Sequence, residues 1–159
     1  MKRSLSKEWI GYTWIILCVV ALDQFSKYLV LEYLKPIDVY DLWHGVFRLN
    51  YEENTGAAFS MLSDFTWVLI VLTLILCCLI LYILLKGSVR SALGRISLIF
   101  VFSGGIGNLI DRVFRGFVVD MFDFYLIDFA VFNVADIFVC CGCFLFIILF
   151  VATKGEILD

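Results

Sequence analysis

Four long apolar segments dominate the chain, and each has the length that an α-helix needs to cross the hydrocarbon core of a bilayer. Hydrophobic residues make up 63% of the 159 residues, more than a soluble domain of this size is able to enclose in a core. The sequence therefore predicts one membrane-embedded domain over residues 1–159. Its transmembrane helices are predicted at residues 9–34, 65–85, 95–112 and 136–153.

The two longer connections, residues 35–64 and 113–135, are predicted to lie on the same side of the membrane. Residues 47–52, FRLNYE, alternate apolar with polar side chains, which is the period of a half-buried strand. Residues 39–43 are suited to pair with them through a turn at His44 and Gly45. Residues 57–62 are predicted to form a short amphipathic surface helix. The predicted fold class is an all-α integral membrane protein with four transmembrane helices, a small extracytoplasmic β-sheet and this short surface helix.

Lysine and arginine residues near the ends of the spans predict the orientation of the chain, because cytoplasmic loops are enriched in them. Seven flank the side that carries both termini: Lys2, Arg3, Lys7, Lys86, Arg90, Arg95 and Lys154. The opposite side has three, Lys35, Arg48 and Arg115, with Arg112 at a boundary. Both termini are therefore expected in the cytoplasm. The first helix is expected to remain uncleaved, since the residues before Cys18 lack the small residue of a signal-peptide cleavage site.

Ionisable and amide side chains occur inside the apolar spans, where they are costly and therefore candidates for function. At about 1.5 Å per helical residue, Asp23, Asn108 and Asp136 lie about 20 to 27 Å from the cytoplasmic side. Asp23 and Lys27 are four residues apart and are expected to pair along one helix face. One stripe of the third helix has four residues spaced for a common face: Gly104, Asn108, Asp111 and Arg112. Glycines there permit close approach of another helix or a ligand. The alternative is that these polar groups only join the helices.

Four aspartates lie within residues 116–136, GFVVDMFDFYLIDFAVFNVAD, although the stretch is strongly apolar. A close pair formed by Asp120 and Asp136 would share a proton, because like charges disfavour ionisation of both. Such a pair suits hydrolysis of an amide, in which one carboxylate takes a proton from water and the other gives one to the carbonyl oxygen. Asp123 and Asp128 are instead expected in the outer loop, in contact with water.

Other kinds of site have weaker support. No basic stripe is present for a nucleic-acid backbone, so no nucleic acid is expected as a partner. Cys140 and Cys143 form a CxxC pair, but no histidine or second cysteine pair stands near it. No metal and no cofactor are therefore expected, and the cysteines are interpreted as small apolar residues. His44, the only histidine, is interpreted as a turn residue.

Five motifs resemble the bacterial lipoprotein signal peptidases, also called signal peptidase II, and they occur in the order of that family. They are DQFSK at 23–27, NTGAAF at 54–59, GNLIDR at 107–112, VVD at 118–120 and FNVAD at 132–136. The resemblance spans nearly the whole chain. One departure is Met121, where the family usually carries phenylalanine. Both side chains are bulky and apolar, so the chemistry is expected to survive the change.

The resemblance implies a membrane aspartyl endopeptidase of the bacterial cytoplasmic membrane, with its active site toward the outer leaflet. Asp120 and Asp136 match the catalytic dyad of the family. Residues that match its substrate-contacting or site-shaping positions are Asp23, Lys27, Asn54, Gly56, Asn108, Arg112 and Asn133. The implied substrate is a diacylglyceryl-modified prolipoprotein in contact with membrane lipids, cut just before the lipidated cysteine. The family is the target of the cyclic peptide globomycin, and a monomer is expected.

Three other functions remain open on the sequence alone. A proton- or ion-coupled transporter also has intramembrane carboxylates, although four spans without an internal repeat argue against one. An assembly factor without catalytic activity would hold partners through the glycine-rich third helix. A presenilin-like aspartyl protease would have a GxGD motif, whereas the glycines here lead into Asn108.

Overall fold

The computed structural model describes residues 2–56 and 65–157, with side chains from Glu8 onward. Four helices in these residues are long and apolar enough to cross a membrane. They are α1 (Lys2–Leu29, continued by a π-helical segment at Val30–Leu34), α2 (Thr66–Lys86), α3 (Ala92–Phe114) and α4 (Val134–Ala152). Their apolar parts agree with the predicted spans to within a few residues. The surface helix predicted at 57–62 lies outside the described residues.

Capping residues determine where the helices stop and start. α2 ends at Lys86, and Gly87 adopts the left-handed conformation, with a φ of 74°, that other residues disfavour. The Ser91 side chain accepts a hydrogen bond from the Gly94 N–H at 3.3 Å and caps α3. Asn133 caps α4 in the same way. These caps set the positions of the polar residues along α3 and α4.

Helix α3 packs against each of the other three helices. Small residues make the close approach possible: a Cβ at Gly104 would overlap the carbonyl oxygen of Ala135, and one at Gly107 would lie 2.5 Å from Asp23 Oδ2. The predicted role of these glycines is therefore confirmed. An apolar cluster joins α1, α2 and α3, and its buried members are Tyr12, Ile80, Leu84, Ile99 and Val101.

Three antiparallel strands form a small sheet: β1 (Val39–Trp43), β2 (Phe47–Asn54) and β3 (Val118–Asp123), with β2 in the centre. The predicted hairpin of β1 and β2 is confirmed. Strand β3 lies within the connection predicted at 113–135, for which no strand was predicted. Most of its residues are buried, so its sequence lacks the alternation that marks a half-buried strand. Val119 and Met121 pack against Val30 and Leu34 at the end of α1.

The prediction for Asp123 is wrong, because its carboxylate is buried rather than in contact with water. Asp123 is only 5% exposed, and Arg48 Nε donates to its Oδ2 at 2.7 Å. The pairing of β3 with β2 places these two residues opposite each other. Asp128 is exposed, as predicted. His44 lies in the turn between β1 and β2, also as predicted, and is exposed. The six cysteines are free thiols.

Candidate active site

Asp120 and Asp136 line one cavity of about 450 Å³, although they belong to different elements. Asp120 lies in β3 and is 1% exposed, whereas Asp136 lies in the first turn of α4 and is partly buried. Much of the remaining wall is apolar and includes Val118, Phe132 and Ile137. The two carboxylates that the sequence singles out therefore face the same largely apolar enclosure.

Two asparagines hold the carboxylate of Asp120. Asn54 Nδ2 donates to its Oδ2 at 2.9 Å, and Asn133 Nδ2 donates to its Oδ1 at 2.6 Å. The Asn54 amide is itself oriented by the backbone, because its Oδ1 accepts a hydrogen bond from the Gly56 N–H at 2.9 Å. Each carboxylate oxygen of Asp120 thus has a fixed donor, and Asn54, the last residue of β2, supplies one of the two donors.

Asp136 is held by the start of α4 and by α3. Its Oδ2 accepts from the Asn133 N–H at 3.1 Å, while Asn133 Oδ1 accepts from the Asp136 N–H at 3.0 Å. This reciprocal pair is a capping box. Asn108 Nδ2 donates to Asp136 Oδ1 at 2.7 Å. The N-terminus of α4 also favours negative charge at this position, through the helix dipole.

A buried cation lies behind the dyad. Lys27 Nζ is 2.9 Å from each of three oxygens, on Asp23, Asp111 and Asn108, and its side chain has no solvent exposure. The predicted Asp23–Lys27 pair is therefore confirmed. Asp23 Oδ1 also accepts from the Ala135 N–H at 2.9 Å, which ties α1 to the start of α4. Buried charges persist only when they are paired and hydrogen-bonded, as these are.

Gln24 and Arg115 belong to this buried cluster, although sequence reasoning assigned them no role there. Gln24 Nε2 lies 3.1 Å from oxygens of Asp23, Gly107 and Asp111. Arg115 forms an ion pair with Asp111 along α3. A spacing of four residues between Asp111 and Arg115 is the sequence signal that could have identified this pair.

Arg112 lines the same cavity from α3. Its Nη2 donates to the Gly56 carbonyl oxygen at 2.9 Å. Its Nε is buried and has no hydrogen-bond partner among the described residues. A buried donor without a partner is costly, so a hydrogen-bond acceptor brought to this atom by a bound ligand would be favourable.

Electrostatics at Asp120 differ from those of an ordinary aspartate. Burial, together with the negative charge of Asp136 nearby, raises the pKa of Asp120 to about 7. The hydrogen bonds from Asn54 and Asn133 oppose this rise in pKa, because they stabilise the charged form. At neutral pH the Asp120 carboxyl group is therefore divided between its acid and base forms, as general acid–base catalysis requires.

All nine residues predicted for the site belong to one connected hydrogen-bond network. Those that line the cavity are Asn54, Asn108, Arg112, Asp120 and Asp136. The other four residues belong to the network through their hydrogen bonds but do not line the cavity: Asp23, Lys27, Gly56 and Asn133. In the part of the chain that the structure describes, no cluster of three or more His, Cys, Asp or Glu side chains is placed to bind a metal ion.

Comparison with known proteins identifies the family. A family model described as Signal peptidase (SPase) II matches residues 15–152. The chain belongs to the signal peptidase II family. This is a family of aspartic peptidases. The lipoprotein signal peptidase of Clostridioides difficile is 44% identical over 131 residues, which cover 82% of this chain and 88% of the relative. That of Caldanaerobacter subterraneus subsp. tengcongensis is 45% identical over 128 residues, 80% of this chain and 87% of the relative.

Two solved structures of bacterial membrane enzymes, both obtained by the in meso method, share the fold. The one at 2.3 Å resolution has a TM-score of 0.84 and 28% identity, over 92% of this chain and 90% of its own. The one at 1.9 Å resolution has a TM-score of 0.78 and 30% identity, over 87% and 91%. The resemblance drawn from five motifs is therefore confirmed, as is the predicted fold of four apolar helices with a small sheet. The chain is a multi-pass membrane protein of a bacterial enzyme family.

Proposed function

We propose that the chain removes the signal peptide from diacylglyceryl-modified prolipoproteins, as a membrane aspartyl endopeptidase that cuts just before the lipidated cysteine. The observation that carries this proposal is the convergence of Asp120 and Asp136 on one largely apolar cavity, each with fixed hydrogen-bond donors. Membership in the signal peptidase II family supports both the reaction and the substrate class.

Asp136 is proposed as the general base and Asp120 as the general acid. Asp136, at the start of α4, takes a proton from a water molecule, whose oxygen attacks the carbonyl carbon of the scissile peptide bond. Asp120 gives its proton to the carbonyl oxygen, which produces a neutral tetrahedral diol. When the C–N bond breaks, Asp136 returns its proton to the leaving amine of the cysteine. Asp120 recovers a proton from the diol as the new carboxyl group forms.

Arg112 is proposed to bind the substrate beside the dyad. Its side chain lines the cavity that also contains both carboxylates, and its buried Nε has no hydrogen-bond partner among the described residues. A backbone carbonyl of the bound signal peptide is the acceptor that would satisfy it. Asn54, Asn108 and Asn133 are proposed to shape the site by holding the two carboxylates, while Asp23 and Lys27 act through Asn108 and α4.

The orientation of the site follows from the charges that flank the spans. The excess of lysine and arginine on the side of both termini favours a cytoplasmic location for them. The sheet and the dyad would then lie at the outer leaflet of the bacterial cytoplasmic membrane. A diacylglyceryl cysteine, anchored by its acyl chains at the membrane surface, would reach this depth without leaving the lipid. We propose that the enzyme acts as a monomer and that globomycin-like cyclic peptides occupy the dyad.

Cleavage of a purified prolipoprotein in detergent micelles tests the proposal. The substrate is offered with and without its diacylglyceryl group, and product masses locate the cleaved bond. We expect cleavage of the lipidated form alone, with a mature product that begins at the modified cysteine. Equal cleavage of both forms, or a cut at another bond, would contradict the proposed substrate. Failure to cut either form would overturn the proposed function.

A further inference from the structure

A second cavity, of about 440 Å³, adjoins the one that contains the dyad. The two share Asn54 and the segment 129–131 as common wall. The second cavity is predominantly polar, and its lining includes Arg48, Asn50, Glu52 and Asn54 from β2 together with Asp123 and Asp128. A volume of this size is within the range of pockets that hold small ligands or short peptide segments.

Most polar groups of this cavity are already engaged within the protein. Arg48 is neutralised by Asp123 at 2.7 Å, and its guanidinium carbon lies 4.8 Å from the centre of the Tyr125 ring. Asn50 lies 3.4 Å from Asp123, and Asn54 holds Asp120. The charges left over are two carboxylates, Glu52 and Asp128. Neither makes a hydrogen bond or ion pair with the other described residues, and a ligand in the cavity would meet net negative charge.

Glu52 is placed directly beside the reaction. It pairs with Asp120 across β2 and β3, so its backbone lies next to that of the proposed general acid. Residues opposite each other in an antiparallel pair have Cβ atoms about 5 Å apart. A chain bound across the dyad and continuing along the sheet would therefore pass Glu52 within one or two residues of the scissile bond.

We propose that this polar cavity, which we call the mature-side subsite, binds the residues that follow the lipidated cysteine, and that Glu52 and Asp128 make it favour basic over acidic side chains. The inference rests on the proposed function. A peptide with its scissile bond at the dyad needs an apolar path for the signal helix and acyl chains and a polar path for the soluble segment. The apolar dyad cavity suits the signal helix and the acyl chains, and the adjoining polar cavity suits the soluble segment.

Three lipidated prolipoproteins that differ only in the second and third residues after the cysteine provide the test. These residues are Gln-Gln, Lys-Lys or Glu-Glu, and kcat/KM is measured for each. For the wild-type chain we expect Lys-Lys to exceed Glu-Glu by about tenfold, the combined effect of two partly exposed charge contacts. Added salt should reduce this ratio, because it screens exposed charges.

Variants of Glu52 in β2 test whether this residue causes the preference for the Lys-Lys substrate. Glu52→Gln should reduce the Lys-Lys to Glu-Glu ratio to about threefold, and Glu52→Lys should invert it. The matched control is Glu53→Gln, because Glu53 is the next residue but binds Lys35 and Tyr51 outside the cavity. The control should keep the wild-type ratio. Both substrates are measured on one enzyme sample, so the ratio does not depend on the fraction of each variant that folds.

The outcomes separate this inference from the proposed function. A wild-type ratio near one, or a ratio that neither Glu52 variant changes, would overturn the mature-side subsite while cleavage of the Gln-Gln substrate still supports the peptidase. Failure of the wild-type chain to cleave the Gln-Gln substrate would overturn the proposed function, and this inference with it.

Discussion

Asn108 donates its side-chain amide to Asp136 at 2.7 Å, and the orientation of that amide is fixed from behind. Its Oδ1 accepts hydrogen bonds from Lys27 Nζ at 2.9 Å and from Asn133 Nδ2 at 3.1 Å. A reversed amide would turn its donor toward the lysine cation and its acceptor toward the Asp136 carboxylate. The buried lysine therefore determines which group Asn108 offers to the proposed base.

Replacement of Asn108 tests this arrangement. Asn108→Leu removes the donor to Asp136 and leaves the capping box of Asn133 in place. We expect kcat to fall by about 100-fold, because loss of a fixed geometry at a reacting group has an effect of this size. Steady-state kinetics on a lipidated prolipoprotein measure it, and a thermal melt shows that the variant is folded. A folded variant with kcat within twofold of wild type would mean that the hydrogen bond has no part in the reaction.

Lys27→Met should destabilise the protein strongly. The variant leaves Asp23 buried without its cation and Asp111 with Arg115 as its remaining cation. Breaking a buried pair in this way costs about 3 to 5 kcal/mol. The free energy of unfolding in detergent measures the effect. Lys35→Met is the control, since Lys35 forms an exposed ion pair with Glu53 and should leave that free energy almost unchanged. Equal effects of the two substitutions would contradict the role given to the buried cluster.

Activity should fall as the pH rises above about 7. Burial and the charge of Asp136 raise the pKa of Asp120 to about 7, so the proposed general acid loses its proton there. The hydrogen bond from Asn54 lowers this pKa, so Asn54→Leu should move the alkaline limb of kcat/KM to higher pH. Asn50→Leu, next to Asp123 instead, should leave the limb in place. A shift to lower pH in Asn54→Leu would contradict the assignment.

Gly107→Ala tests the close contact of α3 with α1. The added Cβ would lie 2.5 Å from Asp23 Oδ2 and 3.3 Å from Ala135 Cβ, both in the buried cluster. We expect a loss of about 1 to 3 kcal/mol in unfolding free energy, as for overpacked cores. In the control, Gly11→Ala, the Cβ would have no neighbour within 4 Å. That variant should be neutral or slightly more stable, because alanine favours a helix. A Gly107→Ala variant as stable as wild type would contradict the packing.

Periodicity and hydropathy were sufficient to predict the spans and the hairpin, because each leaves a regular pattern along the chain. Strand β3 left none, since it is buried on both sides, and its burial also explains the error at Asp123. The depths of Asp23, Asn108 and Asp136 along their helices placed these residues in a similar layer of the membrane. Depth along a helix does not specify individual partners, and so the triple contact of Lys27 could not be predicted.

In the site, too, individual hydrogen-bond partners could not be predicted from the sequence. The type and spacing of Asp120 and Asp136 pointed to paired carboxylates, but two asparagines that hold them, Asn54 and Asn108, lie far from them in the sequence. Asn54 reaches Asp120 only because β2 lies beside β3. Gln24 bonds to Asp111 only because α1 packs on α3. Such partners follow from tertiary packing, which no local pattern along the chain encodes.

The central claim is that Asp120 and Asp136 act together as the catalytic dyad. Its most direct test is the cleavage rate of a lipidated prolipoprotein by wild type, Asp120→Asn and Asp136→Asn. Asp41→Asn, an exposed aspartate on β1, is the matched control. We expect each dyad variant to lose about 100-fold or more in rate while the control retains it, because each acid–base group is required in every turnover. Full activity in either dyad variant would contradict the dyad.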